Sequence, residues 1–214
     1  MFASMWAIMK NLHIYAAGNA NAIWHDAGRA VTPDGKTALM IGTGDIGSHF
    51  ARLCKAVGME AIGVRRNPSI EAEGIDHVVG FESLDNVLQY ADVIAMSVPS
   101  TPATYHLLNA ERIASLKPDA IIINAGRGDA IESQALADAL AEGRIRGAAL
   151  DVTEPEPLPA NSPLWCEPKC LITPHVAGGN HLEITERSII SIALGNVRCY
   201  ANGQSLDNRM PLKG

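Results

Sequence analysis

The stretch Thr37-Ala-Leu-Met-Ile-Gly-Thr-Gly-Asp-Ile-Gly-Ser-His-Phe50 decides the fold of this chain. It begins with an uncharged apolar run, residues 38–41, which is typical of a strand buried on both faces. Three glycines follow at the spacing G-x-G-x-x-G, and apolar residues then recur at helical spacing. In a dinucleotide site, Gly42 permits the tight turn, Gly44 lets a pyrophosphate approach the backbone, and Gly47 lets the helix pack closely. Because a helix N-terminus attracts phosphates, the stretch predicts dinucleotide binding, although glycines also mark ordinary turns.

The composition of the whole chain is typical of a globular protein. Its residues are 47% hydrophobic and 19% charged. A length of 214 residues is enough for one large domain, which we expect over residues 1–214. The net charge is −6 and the sequence contains no basic run, so it indicates no nucleic-acid partner. No apolar stretch reaches the roughly 20 residues that cross a bilayer, and the first ten residues do not resemble a signal peptide. We therefore expect no membrane partner and a cytoplasmic location.

The four cysteines are interpreted as free thiols. Cys166, Cys170 and His175 are metal ligands by residue type, but the C-x-x-x-C pair has no second pair and prolines surround it. We expect Cys54, Cys199 and this pair to be buried or half-buried and to bind no metal.

Predicted strands and helices alternate along the chain. The strands are expected at 38–41, 60–64, 91–98, 120–124 and 145–150, and the helices after the glycines and at 83–90, 110–116 and 132–142. This alternation predicts an α/β fold, a Rossmann-type doubly wound parallel sheet flanked by helices, over residues 37–175. An apolar helix over 2–16, in an N-terminal arm over 1–26, leads through a connector to the sheet, and a closing helix covers 181–203. The N-terminal helix must pack on the rest of this chain or on a partner.

Two arginines stand where a dinucleotide fold faces the adenosine ribose. Arg65 and Arg66 follow the strand at 60–64. An acidic residue about 20 positions after the glycines usually binds the ribose 2′-OH, but no carboxylate occupies this place. Guanidinium groups suit a 2′-phosphate, to which each charge-assisted hydrogen bond contributes about 1.5–3 kcal/mol. The pair therefore favours NADP over NAD, with two solvated surface arginines as the alternative.

Chemically active residues follow the other predicted strands. Ligands of a parallel sheet bind beyond the carboxyl ends of its strands. The segments at this edge are 42–47, 65–66, 98–100, 124–128, 151–156 and 174–175. An arginine, acidic residues and a histidine thus gather beside the phosphate loop, which would be unusual for a purely structural sheet.

Five ordered motifs resemble those of the D-isomer-specific 2-hydroxyacid dehydrogenases, which include D-lactate, phosphoglycerate, glyoxylate/hydroxypyruvate and formate dehydrogenases. The motifs are Gly42-Thr-Gly-Asp-Ile-Gly47, Val98-Pro-Ser-Thr-Pro102, Asn124-Ala-Gly-Arg-Gly128, Ala149-Leu-Asp-Val-Thr-Glu-Pro-Glu-Pro157 and Thr173-Pro-His-Val-Ala-Gly178. Five motifs in order are a far more specific signal than the glycines alone. The resemblance implies an oxidoreductase that transfers a hydride between NADP or NAD and a small D-2-hydroxy acid or 2-oxo acid.

The resemblance also implies a role for each matching residue. Arg127 would bind substrate, Glu156 would be the catalytic carboxylate and His175 the acid/base. Glu154 is the rival of Glu156, but the family's glutamate lies five residues after its aspartate, here Asp151. A solvated acidic loop is the alternative for both glutamates. The implied cofactor-binding residues are Gly42, Gly44, Asp45, Ile46, Gly47, Arg65, Arg66, Val98, Pro99, Thr104, Ala125, Gly126, Asp151 (on the nicotinamide carboxamide), His175 and Gly178.

These residue types suit the reduction of a 2-oxo acid. A histidine, with an ordinary pKa of about 6.5, can donate a proton near neutral pH, and a neighbouring carboxylate stabilises the imidazolium. An arginine can bind the substrate carboxylate with two parallel hydrogen bonds. A lone histidine after a strand is usually a core residue, whereas His175 together with Arg127 and Glu156 indicates catalysis.

The sequence departs from the family in two respects. Members usually exceed 300 residues, and a first lobe of roughly 100 supplies the other wall of their substrate cleft, so we expect that lobe to be absent here. We also expect this chain alone to bind cofactor but to turn over 2-oxo acids poorly. Asn180 replaces a common Ser or Thr.

Two expectations concern partners. The alternative to an enzyme is a nucleotide-binding or interaction module without turnover, similar to the family's corepressors. We expect a homodimer, because the apolar N-terminal helix has little obvious cover.

Overall fold

The structure is a computed structural model that describes residues 1–179 and 182–209. Its helices are α1 (Phe2–Met9), α2 (Leu12–Ala20), α3 (Asp45–Ala56), α4 (Leu84–Leu88), α5 (Ala110–Ala114), α6 (Ser133–Ala141) and α7 (Glu183–Ala201). Its strands are β1 (Thr37–Ile41), β2 (Glu60–Val64), β3 (His77–Val79), β4 (Val93–Met96), β5 (Ile121–Asn124), β6 (Gly147–Leu150) and β7 (Cys170–Ile172). Short 3₁₀ helices cover Phe81–Ser83, Gly128–Ala130 and Pro163–Cys166.

The described strands form one parallel sheet in the order β3-β2-β1-β4-β5-β6-β7. From β1 the chain winds outward through β2 and β3, then returns to the other side of β1 and winds outward through β4 to β7. The winding direction therefore reverses between β1 and β4, the position at which open α/β sheets bind ligands. The predicted doubly wound α/β fold is confirmed.

Successive side chains of a strand point to opposite faces of the sheet. Both faces of this sheet are buried, each in its own hydrophobic core. In β1, Leu39 and Ile41 lie in a core with residues of α4, α5 and α6. Ala38 and Met40 lie in a second core with residues of α1 and α3. The four residues Ala38 to Ile41 are fully buried, as the uncharged run at this position predicts.

The N-terminal helix packs on the sheet of its own chain. In α1, Met5 is fully buried and Ile8 and Met9 are each 1% exposed. Phe2 meets Phe50 of α3 edge to face, with ring centroids 6.5 Å apart. The interpretation that this helix lacks cover is therefore wrong, because its apolar residues complete the core beneath β5 and β6.

The predicted helix over 2–16 is two helices. Asn11 separates them in a left-handed conformation, with φ at 56°. Asparagine tolerates this conformation better than most residues. Its side-chain amide also donates to the carbonyl oxygens of Ala27 and Gly28, at 3.3 and 3.4 Å, which ties the break to the connector.

Other predicted bounds differ modestly from the structure. The helix predicted over 83–90 is a 3₁₀ turn followed by α4, and the strand predicted over 91–98 is shortened to β4. Asp92 lies just before β4, and its carboxylate accepts hydrogen bonds from the Thr37 amide and from two lysines. β3 and β7 are additional strands, which are not among the five strands predicted from the sequence.

The chain divides into two compact units, Met1–Pro174 and His175–Gly214. The second contains α7, which agrees with the predicted closing helix except that His181 lies outside the described residues. The Asn196 side chain exchanges hydrogen bonds with the Asp207 backbone at 2.8 and 3.2 Å, so the segment after α7 folds back along it. Among the described helices, none combines the length and apolar character of a membrane span.

Candidate functional site

After β1, β4, β5, β6 and β7, the first residue beyond the strand still donates a backbone hydrogen bond to a neighbouring strand. The amides of Gly42 and Ser97 donate to the neighbouring strands at 2.9 and 3.0 Å. Beyond β5, β6 and β7, the amides of Ala125, Asp151 and Thr173 do the same, at 2.9–3.0 Å. The predicted site segments of the first unit therefore begin along a single edge of the sheet.

The glycine loop between β1 and α3 has the shape of a phosphate cradle. Gly42 has φ at +96°, and a Cβ there would lie 2.9 Å from the Ser97 carbonyl oxygen. A Cβ on Gly47 would collide with the carbonyl oxygen of Gly42. A Cβ on Gly44, by contrast, would meet no described atom within 4 Å, so the backbone there is open to a ligand.

A buried hydroxyl in the same loop is left without a partner. Thr43 is 7% exposed, and its Oγ1 has no hydrogen-bond partner among the described residues. Buried polar atoms in native proteins are nearly always hydrogen-bonded, so this hydroxyl is available to water or to a polar ligand in the cradle. The glycine backbone and this hydroxyl together fit a dinucleotide.

The residues at the start of α3 and after β2 surround the cradle. Asp45 and Ile46 are exposed in the first turn of α3. Arg65 is half-buried, and its Nη1 donates to the carbonyl oxygens of Ile70 and Glu71, at 3.1 and 3.4 Å. Arg66 is exposed. Arg65 thus organises the following loop in addition to its predicted role, while Arg66 extends into solvent.

The loop after β4 is stabilised from within. Val98 is 4% exposed, whereas Pro99 is exposed. The Thr104 hydroxyl donates to the Pro99 carbonyl oxygen at 2.7 Å and accepts from the Thr101 amide at 2.9 Å. Thr104 therefore shapes the loop that carries Val98 and Pro99, and direct contact of Thr104 with cofactor stays a prediction.

Asn124, at the end of β5, holds the turn that presents Arg127. Its Oδ1 accepts from the Gly126 amide at 3.0 Å, and its Nδ2 donates to the Arg127 carbonyl oxygen at 2.8 Å. The Arg127 side chain is exposed, and its Nη1 donates to the Gly126 carbonyl oxygen at 2.7 Å. Gly126 packs so closely that a Cβ would lie 2.7 Å from the Val98 carbonyl oxygen. Ala125 is half-buried in this turn.

The loop after β6 carries three acidic side chains in different surroundings. Asp151 is 9% exposed, and its Oδ1 accepts from the Thr173 hydroxyl at 2.6 Å. Glu154 is half-buried, with Oε2 at 2.8 Å from Nε2 of His106. Glu156 is exposed. Glu156 stands five residues after Asp151, the position that the resemblance implies, and we retain it as the catalytic carboxylate in the proposal below.

The predicted His175 and Gly178 belong to the second unit. His175 has a left-handed backbone, with φ at 55°. A Cβ on Gly178 would meet no described atom within 4 Å. Asn180, the noted departure from the family, lies outside the described residues. The first unit therefore brings together the cradle and the segments of Arg127, Asp151 and Glu156, and the acid/base role of His175 stays a prediction.

The cysteines contain no disulfide. Burial raises the pKa of the Cys54 and Cys170 thiols to about 12, so both are protonated at neutral pH. The expectation that all four are at least half-buried is wrong for Cys166, which is exposed at the end of a 3₁₀ helix. Within residues 1–179 and 182–209, no group of three His, Cys, Asp or Glu side chains is arranged to hold a metal ion.

A family comparison decides the affiliation. The sequence profile described as "D-isomer specific 2-hydroxyacid dehydrogenase, NAD binding domain" matches residues 2–177. The chain belongs to this family. The match confirms the predicted relationship and an NAD-binding domain, and it extends over the glycine cradle, the Arg127 turn and the loop after β6.

Relatives place the chain among 2-hydroxyacid dehydrogenases of several kinds. It is 34% identical to a hydroxypyruvate reductase of Blautia hydrogenotrophica over 81% of this chain and 53% of that protein. A family structure from Aeromonas salmonicida has 37% identity and a TM-score of 0.85, covering 99% of this chain and 66% of that one. An NADPH-dependent glyoxylate/hydroxypyruvate reductase from Sinorhizobium meliloti, in complex with NADP and sulfate, has 27% identity and a TM-score of 0.83. That comparison covers 98% of this chain and 66% of the reductase. The chain thus spans a half to two thirds of the length of these relatives.

Three side chains of this dehydrogenase domain were not given a role from the sequence. Asn124 was quoted only as part of a motif, although an asparagine at a strand end commonly bonds a following turn. Thr43 lies inside the G-x-G-x-x-G spacing, where only the glycines carry a signal. His106 is 48 residues from its partner Glu154, and no local pattern joins the two.

Proposed function

We propose that the protein containing this chain reduces a small 2-oxo acid to a D-2-hydroxy acid with a reduced nicotinamide cofactor. The observation that carries the proposal is the glycine cradle with the Arg127 turn and the Asp151–Glu156 loop along one sheet edge. Family membership supports the same reaction class. With its pyrophosphate in the cradle, a reduced dinucleotide would supply from its nicotinamide ring the hydride that the keto carbon gains.

Arg127 binds the substrate carboxylate in this proposal. Its guanidinium is exposed at the carboxyl edge, on a turn whose backbone is fixed by Asn124. A planar guanidinium can make two parallel hydrogen bonds to a carboxylate, which sets the direction of the keto group. A rigid turn preserves this geometry, and correct orientation of reactants provides much of the rate enhancement of an enzyme.

His175 donates the proton that the keto oxygen requires once the carbon has gained a hydride. We assign to Glu156 the stabilisation of the protonated imidazole that is the donor, since a neighbouring carboxylate favours the protonated form. In the reverse direction His175 accepts the hydroxyl proton. Asp151 is assigned to the nicotinamide carboxamide, and its bond from Thr173 limits the orientations of its carboxylate.

We further propose that NADP is preferred to NAD. Support comes from Arg65 and Arg66 after β2, and from the family structures that contain NADPH or NADP. A D-lactate dehydrogenase from Lactobacillus jensenii in the same group of structures contains NAD+, so the choice depends on local residues.

A homodimer and a cytoplasmic location complete the proposal. The dimer no longer rests on α1, which is covered, but on three exposed apolar residues that follow it. Leu12, Ile23 and Trp24 are 53%, 55% and 103% exposed. Light scattering tests the dimer, and a stable monomer at micromolar concentration would contradict it.

The reaction is tested by following NADPH oxidation with glyoxylate, hydroxypyruvate and pyruvate. The assay should use the 214-residue chain and any longer product that contains it, because the relatives are longer. Turnover that disappears in the His175→Ala variant supports the proposal. Cofactor binding without turnover in every preparation would overturn it.

A further inference from the structure

His106 and Glu154 form a close pair beside the candidate site. Nε2 of His106 lies 2.8 Å from Oε2 of Glu154, and the two side chains are 31% and 33% exposed. His106 belongs to the loop after β4, and Glu154 belongs to the loop after β6. The pair therefore bridges two segments that begin at the same edge of the sheet, on either side of the Arg127 turn.

Each member of the pair is anchored independently. The amide of His106 donates to the Asp129 carbonyl oxygen at 2.7 Å, and its ring stacks on Tyr105, with centroids 4.0 Å apart. His106 also has φ at 44°, a left-handed conformation that costs a non-glycine residue free energy. The Glu154 carbonyl oxygen accepts from the Ser133 hydroxyl at 3.0 Å. The unfavourable backbone conformation of His106 is maintained while its ring lies against a carboxylate, which indicates a selected geometry.

The hydrogen bond between His106 and Glu154 holds a segment whose first and last residues have roles in the proposed mechanism. Residues 151–156 begin with Asp151 and end with Glu156, the two acidic groups of the proposed mechanism. Between them, Thr153 packs against Gly128 so tightly that a Cβ on Gly128 would collide with the Thr153 carbonyl oxygen. Glu156 is exposed, and the backbone of this segment sets where its carboxylate can reach.

We propose that His106 and Glu154 are positioning residues, which fix the backbone that presents Glu156. This proposal rests on the proposed function. The Nε2–H group of His106 donates to the Glu154 carboxylate and joins the loop after β6 to the loop after β4. The hydrogen bond prevents rotation of the segment between Asp151 and Glu156. Arg127, the glycine cradle and the Asp151 carboxylate are held by other contacts, so the pair governs the chemical step and not cofactor or substrate binding.

The positioning role is tested with Glu154→Ala, His106→Ala, the double variant and Glu154→Gln. Each alanine change should lower kcat by about 10-fold or more, since a small misplacement of a catalytic group can cost 100-fold. KM and the cofactor dissociation constant should stay within about threefold of wild type. The double variant should be no slower than the singles, because both remove the same bond. Glu154→Gln keeps an acceptor for the Nε2–H group and should restore most of kcat.

Hydrogen–deuterium exchange of the peptide covering 151–158 provides a second readout that does not require turnover. Exchange should increase in the alanine variants and remain near wild type in Glu154→Gln. Glu111→Ala, an exposed glutamate on α5, is the matched control and should change neither kcat nor exchange.

The outcomes separate the two proposals. Cofactor binding without turnover in the wild-type protein contradicts the proposed function, and the exchange measurement then decides whether the pair orders the segment. Unchanged exchange together with unchanged kcat in both alanine variants overturns the positioning role. A kcat in Glu154→Gln as low as in Glu154→Ala also overturns it, as does a parallel loss of kcat, cofactor affinity and thermal stability.

Discussion

Gly47 approaches Gly42 so closely that a Cβ atom on Gly47 would collide with the Gly42 carbonyl oxygen. The contact joins the first turn of α3 to the end of β1, and it brings the helix N-terminus over the sheet edge. Gly44 lies between them, where a Cβ would meet no atom of the described chain within 4 Å. Glycine is thus required at Gly47 by the packing of α3 on β1, whereas the absence of a side chain at Gly44 leaves space for a phosphate.

Because Gly47 and Gly44 have different surroundings, replacing each by alanine should have different effects on stability and on cofactor binding. Gly47→Ala should lower the free energy of unfolding by about 1–3 kcal/mol, because a backbone atom must move to accommodate the methyl group. Gly44→Ala should change it by less than about 1 kcal/mol, yet weaken cofactor binding, since its methyl enters the phosphate path. Urea unfolding and cofactor titration measure the two effects. Equal unfolding costs for the two variants would contradict the packing argument.

Asp92 should make the stability of the sheet depend on pH. Burial raises the pKa of its carboxyl, but hydrogen bonds from the Thr37 amide and from Lys117 and Lys36 outweigh burial and hold the pKa below its ordinary value. The lysine nitrogens both lie 3.1 Å from its oxygens. Since the pKa is lower in the folded state, the contribution is present above the unfolded pKa of about 3.9 and is lost as the pH falls through the folded value.

The Asp92→Asn variant tests this contribution. It should lower the free energy of unfolding at pH 7 by about 1.5–3 kcal/mol, the usual worth of hydrogen bonds to a charged group. The difference in the free energy of unfolding between this variant and wild type should shrink as the pH falls below about 5. Urea unfolding at a series of pH values measures it. Asp119→Asn is the control, because Asp119 is 55% exposed and its ion pairs are long, at 3.8 and 3.9 Å. A constant difference at all pH values would show that Asp92 acts through packing alone.

The sequence was sufficient for features that depend on local signals. The uncharged run at 38–41 and the glycine spacing identify β1, the cradle and α3, and the strand alternation gives the parallel sheet. β3 and β7 were missed because each has only three residues, exposed or half-buried, and becomes a strand by pairing with β2 or β6. The break at Asn11 depends on hydrogen bonds to residues 16 and 17 positions away.

The sequence predicted the individual residues of the candidate site, but not the hydrogen bonds that hold them in place. Arg127 and Asp151 stand in segments that follow apolar strands, and the family resemblance implies their roles. The hydrogen bond of Thr173 to Asp151 spans 22 residues, and the His106–Glu154 pair spans 48. Such contacts arise when separate strands end side by side, and no spacing within a single segment encodes them.

Arg65 and Arg66 should contribute differently to NADPH binding. Arg66→Ala should weaken NADPH by about 10-fold if one charge-assisted contact is lost, and should leave NADH unchanged. Arg65→Ala should in addition loosen the loop at 70–71, whose carbonyl oxygens its guanidinium binds. Titration of both cofactors measures the effects, with Arg144→Ala, between α6 and β6, as the control. Equal or tighter binding of NADH by the wild-type chain would contradict the NADP preference.

Arg127 and His175 should separate into binding and chemistry when the full reaction is assayed. Arg127→Lys keeps the charge but loses the two parallel hydrogen bonds, so KM for the 2-oxo acid should rise by about 10-fold or more. His175→Ala removes the proposed proton donor, so kcat should fall by about 10²–10⁴-fold while KM changes little. Arg127 is not among the residues predicted to bind cofactor, so the NADPH dissociation constant should stay near wild type in Arg127→Lys. Steady-state kinetics with glyoxylate and hydroxypyruvate, combined with cofactor titration, provide the measurement. A His175→Ala variant that retains the wild-type kcat would show that another group donates the proton, and the assignment would then have to be abandoned.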